Sequence, residues 1–77
     1  MATLPRLSGQ ETIKAFEILG WIVARQKGSH IILIKEGHVA TLSVPNHKEV
    51  AKGTLRSLIR SAGLTVPEFI DALKGKK

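Results

Sequence analysis

The sequence predicts an α+β fold in the order α-β-β-β-α, with a short extra helix at the C-terminal end. Three observations predict it. Apolar residues repeat at helical intervals near the start and in the last third. β-branched residues crowd the middle, and glycine-containing breaks divide them into three runs. A three-stranded antiparallel sheet with its helices on one face is the economical way for such elements to share one core.

The first helix is read from "LSGQETIKAFEILGW". Ser8 and Glu11 have the reciprocal spacing of a capping box. Ile13, Phe16 and Leu19 mark its apolar side, and Gly20 is suited to end it in a left-handed conformation. Three extended runs follow, "WIVARQK", "HIILIKE" and "HVATLSV", with breaks at Gly28-Ser29 and Glu36-Gly37. Short gaps of this kind between β-branched runs predict hairpins in a meander. Pro45 ends the third run, because it has no N–H for a ladder and holds Val44 extended.

After "PNHKEVAK", the stretch "GTLRSLIRSAG" predicts a second helix with Thr54 as its N-cap and Gly63 as its terminator. Leu55, Leu58, Ile59 and Ala62 form its apolar stripe, and Arg56 and Arg60 lie one turn apart on another face. Thr65 and Glu68 repeat the capping-box spacing, with Pro67 in the first turn. Val66, Phe69, Ile70 and Leu73 complete a short last helix, and "KGKK" reads as a basic, frayed end.

At 77 residues the chain is expected to be one domain, 1–77. A body of this size buries only about 60 % of the surface its unfolded chain exposes, which leaves no room for a deep enclosed site. The absence of cysteine excludes disulfides, thiolate chemistry and cysteine-built zinc sites. No apolar run reaches the roughly 18 to 20 residues that cross a bilayer, and no signal-peptide core precedes the first helix. The expectation is a soluble cytoplasmic protein with no membrane partner.

Twelve Lys and Arg against six Asp and Glu give a net charge of +6. On so small a body this excess points to a polyanionic partner: RNA, DNA or an acidic protein. Phe16, Trp21 and Phe69 are the only aromatic residues besides the histidines. Recognition by base stacking on exposed rings is therefore disfavoured.

The stretch "RQKGSH" puts His30 at the head of an apolar strand, after Arg25, Lys27, the turn residue Gly28, and Ser29. Alternation places His30, Ile32 and Ile34 on one face and Ile31 and Leu33 on the other. A histidine at a strand end most often just makes a hydrogen bond there. Here cations surround it, and a phosphate drawn to them would sit beside an imidazole, whose ordinary pKa is about 6.5. RNA can be cut by its own 2′-hydroxyl, so one imidazole and a few cations suffice for a minimal ribonuclease.

His38, after a tight turn, is expected to be solvated. His47 lies in the loop before the basic helix, where it can face the same ligand as Lys48 and Lys52. The spacing of the three histidines matches no metal motif and no acidic residue lies close in sequence to His30, so neither a metal nor another cofactor is expected. Around Thr54, the free N–H groups of a helix start, with Lys52 before it and Arg56 in its first turn, make a second place for a phosphate.

"RQKGSH" with its apolar strand, then "SVPNH", "KGTLRSLIRSAGL" and "EFIDAL", together resemble the HicA toxin family, also called YcfA-like proteins. The likeness runs from about Leu7 to Leu73. It implies a fold like the double-stranded-RNA-binding domain, in agreement with the order of elements read above. It also implies an mRNA-cutting ribonuclease, the toxin of a toxin–antitoxin pair, with His30 as the active histidine and a HicB-type antitoxin that covers it. Gly28 carries over as the turn, and Ser29, His47 and Lys52 to Arg56 match blocks of the pattern. Many relatives carry further polar residues after the motif histidine, where this chain has Ile31 and Ile32. The rival readings are a non-catalytic RNA-binding module of the same fold and a pure protein-interaction domain.

Overall fold

The computed structural model describes residues 4–75. Its elements are α1 (Gly9–Ile18), β1 (Ile22–Lys27), β2 (His30–Ile34), β3 (Leu42–Pro45), α2 (Lys52–Ser61) and α3 (Val66–Leu73). The order is the one expected, and the strands form one antiparallel sheet in the order β1-β2-β3. Lys76 and Lys77 of the basic end lie outside the described residues.

The helix ends follow their residues closely. Ser8 Oγ accepts from the Glu11 N–H at 3.1 Å, and Glu11 Oε1 accepts from the Ser8 N–H at 2.9 Å, so the predicted capping box is formed. At the other end Gly20 has φ +102°, and the Trp21 N–H returns to the Phe16 carbonyl at 3.0 Å. That is the Schellman arrangement, in which the residue after the glycine packs on the helix's last turn. Trp21 does so, its ring edge-on to Phe16 with centroids 6.4 Å apart. Helix α3 has the second predicted capping box, between Thr65 and Glu68.

The core lies between the inner face of the sheet and the three helices. Ile31, Leu33, Leu42 and Val44 come from the sheet, and Phe16, Leu55, Ile59 and Phe69 from the helices. Phe16 and Phe69 join α1 to α3 with centroids 5.0 Å apart. The helices cover β2 and β3 but leave β1 at the margin, and all six of its residues are exposed.

Two boundaries differ from the expectation. The third run enters the sheet only at Leu42, since the last ladder pair is Leu33–Leu42 and residues 38–41 pair with no strand. His38 instead bonds locally, its Nδ1 accepting the Ala40 N–H at 3.3 Å, and its ring lies 5.0 Å from that of Trp21. It is half-buried against the core, not solvated. Pro45 is the last member of β3, paired with His30, and is tolerated because β3 is an edge strand.

The second correction concerns α2, which begins at Lys52, with Ala51 as N-cap and no side-chain cap. Thr54 is therefore inside the first turn. The cause is Val50, which is buried and donates its N–H to the Leu7 carbonyl at 2.7 Å, so the chain is pinned just ahead and turns into helix at once. Ala51 supplies the first helical carbonyl, to the Leu55 N–H.

Leu33 is wholly buried at the centre of the sheet. Leu33→Ala is expected to cost about 2–5 kcal/mol, seen as a lower urea midpoint at unchanged slope. The Thr65 N–H and hydroxyl, 2.8 and 3.0 Å from Glu68 Oε1, hold the Glu68 carboxyl below its usual value of 4.5. The sign follows from linkage: stabilisation from this cap is complete above pH 4.5 and is lost as pH falls through the lower folded-state value. A carboxyl ¹³C titration of Glu68 should show a midpoint below 4.5, returning toward it in Thr65→Ala.

Candidate active site on the outer sheet face

His30 is the first residue of β2 and is exposed on the face turned away from the helices. Strand alternation decides this, since Ile31 and Leu33 take the inner side. The turn before it has Gly28 at φ +62° as the first of two connecting residues, the signature of a type II′ hairpin. A Cβ at Gly28 would meet nothing within 4 Å, so the requirement for glycine there is conformational.

The register gathers the expected cations around the histidine. Lys27 is directly opposite His30 on β1, and Pro45 is opposite it on β3. Arg25 is paired with Ile32, two residues on, which makes it the diagonal neighbour of His30. Side chains in such diagonal positions are roughly 7–8 Å apart at their bases and within reach of long residues. The bulge in β1 falls between Val23 and Arg25 and leaves the pairing from Arg25 to Lys27 regular. None of the three strands contains Asp or Glu, so no acid competes for these cations from the ladder.

The apolar end of the same face is open. Ile22 and Ile34 form a cross-strand pair and are 58 % and 39 % exposed. Neither of the two clefts between helices, about 190 Å³ between α1 and α3 and about 250 Å³ between α2 and α3, includes His30. The candidate site is an open ridge, as the size of the chain requires.

The remaining predicted residues are placed differently. Lys52, Thr54 and Arg56 belong to α2, in the helical layer, and do not share the His30 face. They lie toward the same end of the molecule, since β3 ends at Pro45 beside His30 and only six residues lead from there to α2. Arg56 is in the second turn rather than the first, and it lines the α2–α3 cleft with Arg60. His47 is exposed in the connecting loop, and its carbonyl accepts the Gly9 N–H at 2.8 Å. Ser29 accepts, at its carbonyl, the Asn46 N–H at 2.7 Å.

All three non-histidine aromatic side chains are buried: Phe16, Trp21 and Phe69 are at most 1 % exposed. The chain offers no such ring for a base to stack on. Among the described residues no helix is long and apolar enough to cross a membrane.

The family model described as the HicA toxin of bacterial toxin–antitoxin matches residues 9–64, well over half of the chain. The chain belongs to the HicA toxin family. No curated protein matches it. The match spans α1, the whole sheet and α2, while α3 lies beyond it. Both the motif histidine and the loop after β3 thus fall inside the HicA stretch. Gly9, Gln10 and Asn46 were not singled out from the sequence, yet the fold joins them at the loop after β3, where the Asn46 N–H bonds to the residue before that histidine. The one signal available was the glycine directly after a helix cap, where no turn requires it.

The exposures imply an order of chemical reactivity. Diethyl pyrocarbonate should modify His30 and His47 several-fold faster than His38, which packs on Trp21, and peptide mass spectrometry of a time course would read it.

Proposed function

We propose that this HicA-family toxin is a metal-independent endoribonuclease that cuts mRNA in the cytoplasm, with His30 as its catalytic residue. The observation that carries the reading is the open, acid-free ladder face on which His30 has Lys27 opposite and Arg25 diagonal. A phosphodiester lying across these three residues meets two cations and an imidazole. The cations hold and polarise the non-bridging oxygens, which gather charge as phosphorus becomes five-coordinate.

The reaction balances without an added nucleophile. The RNA 2′-oxygen attacks the adjacent phosphorus and loses its proton, and the bond from phosphorus to the 5′-oxygen breaks, that oxygen gaining a proton. His30 serves one of these transfers, as base or as acid, and water serves the other. Proton transfer by one positioned group contributes typically about 10²–10⁴-fold. Single-stranded or loop RNA is the substrate, since a rigid duplex cannot bring its 2′-oxygen in line with the leaving group. Ser29, His47, Lys52, Thr54 and Arg56 contact flanking backbone, with the RNA passing round the end of the sheet from the His30 face to the start of α2.

A HicB-type antitoxin is the protein partner in this reading. The exposed Ile22–Ile34 pair on the His30 face supports it, because an apolar patch beside a charged site is suited to a covering protein. The alternative, a non-catalytic RNA-binding module, draws on Ile31 and Ile32 following the motif histidine, so that no second proton-transfer group stands beside it in the strand.

Purified protein is expected to leave RNA products with 2′,3′-cyclic phosphate and 5′-hydroxyl ends. His30→Ala should lower cleavage by at least a hundredfold and abolish growth arrest while keeping RNA affinity. Products with 5′-phosphate ends, or arrest that survives the substitution, contradict the nuclease reading. Lys27→Ala should weaken RNA binding and flatten the log–log salt dependence by about 0.7 for the one phosphate contact removed.

A further inference from the structure

The ring nitrogens of His30 have no hydrogen-bond partner among the described residues, so its orientation is inherited from the backbone beneath it. That backbone follows a turn with open space around Gly28. Toward β3, the residue opposite His30 is Pro45, and the two form a non-hydrogen-bonded pair of the antiparallel ladder. The ladder bond at this end is the one that flanks the pair, from the Asn46 N–H to the Ser29 carbonyl at 2.7 Å.

Asn46 is in turn held from the other layer. Gln10 Nε2 donates to Asn46 Oδ1 at 3.0 Å, and the Gly9 N–H donates to the His47 carbonyl at 2.8 Å. Gly9 is buried in this contact. A Cβ there would come within 2.4 Å of the Pro45 carbonyl oxygen and 2.8 Å of the Asn46 Cα, both backbone atoms that cannot swing aside. Gly9 is not in the left-handed region, so the demand for glycine is one of space alone. The first turn of α1 thus grips the segment 45–47 at two points, and that segment grips the residue before His30.

We propose that Asn46 is a positioning residue for His30, seated by Gln10 and by the close approach of Gly9. This rests on the ribonuclease reading. A displacement of about 1 Å in a reacting group can cost on the order of a hundredfold in rate, so loosening the contact acts on turnover. The cations on which RNA affinity chiefly rests, Arg25, Lys27, Lys52 and Arg56, take no part in the contact, and Ser29 and His47 enter it only through their backbone carbonyls.

The test compares Gln10→Ala, Asn46→Ala, the double variant and Gly9→Ala with the parent chain. Steady-state RNA cleavage, the His30 ring ¹H–¹³C resonances and a urea midpoint are read for each. Expected are a two- to fivefold fall in kcat for each single side-chain variant, no further fall in the double variant, and at least tenfold for Gly9→Ala. KM should stay within about twofold, and the His30 resonances should shift in every variant. If Gly9→Ala does not fold, the Gln10 and Asn46 variants decide alone. Unchanged kcat and His30 resonances in folded variants, additive losses in the double variant, or a change confined to KM would overturn the assignment. Should the parent chain cut no RNA, the ribonuclease reading fails. The contact is then judged on the His30 resonances and on hydrogen exchange at the Asn46 amide: a change in the variants upholds it and constancy rejects it.

Discussion

The structure depends on the register of β2. Ile31 and Leu33 both enter the core, and Leu33 is completely buried against residues from α1, α2 and α3. Because side chains in a strand alternate with a period of two, a slip by one residue would expose these two and bury His30 and Ile32. The penalty for that exchange is an apolar loss and an unpaired imidazole in the core together, so the register has no competitor. From it follow the outward direction of His30, the pairing with Lys27 and Pro45, and the diagonal position of Arg25.

The end of the sheet where His30 lies is also where two helices begin. Leu7 to Gln10 run alongside residues 46–50, joined by the bonds from Gly9 to His47 and from Val50 to Leu7. That junction is why α2 starts earlier than its own residues suggest. It also means that helix starts, a loop histidine and the motif histidine share one end of the molecule, while the turn at Glu36-Gly37 and the exposed Val39 follow β2 at its other end. Two glycines serve this arrangement for unlike reasons. Gly28 is there for its backbone conformation, with free space around it, and Gly9 is there because no side chain fits.

An open site suits a toxin of this size. With the three large aromatics consumed by the core, the outer face is left with aliphatic residues at one end and cations with an imidazole at the other. Such a surface attracts a polyanion by charge and leaves dry area for a protein that must shut it off. On the proposed ribonuclease reading, the same exposure admits a long, flexible substrate and makes the site simple to cover, which suits a toxin of the toxin–antitoxin kind.

Much of this was legible in the chain. The capping boxes at Ser8–Glu11 and Thr65–Glu68, the left-handed stops at Gly20 and Gly63, the strand order and the grouping of His30 with Ile32 and Ile34 on one face all follow from local spacing. The start of α2, the exclusion of residues 38–41 from the sheet, the burial of His38 against Trp21 and the seat of Asn46 on Gly9 and Gln10 do not. Each of these is a contact between segments distant in sequence, fixed by how layers pack and how much space is left between them. Local patterns determine which side chains share a face of a strand. Only the packed molecule decides which face turns outward, as it does for His30, and what stands beside it.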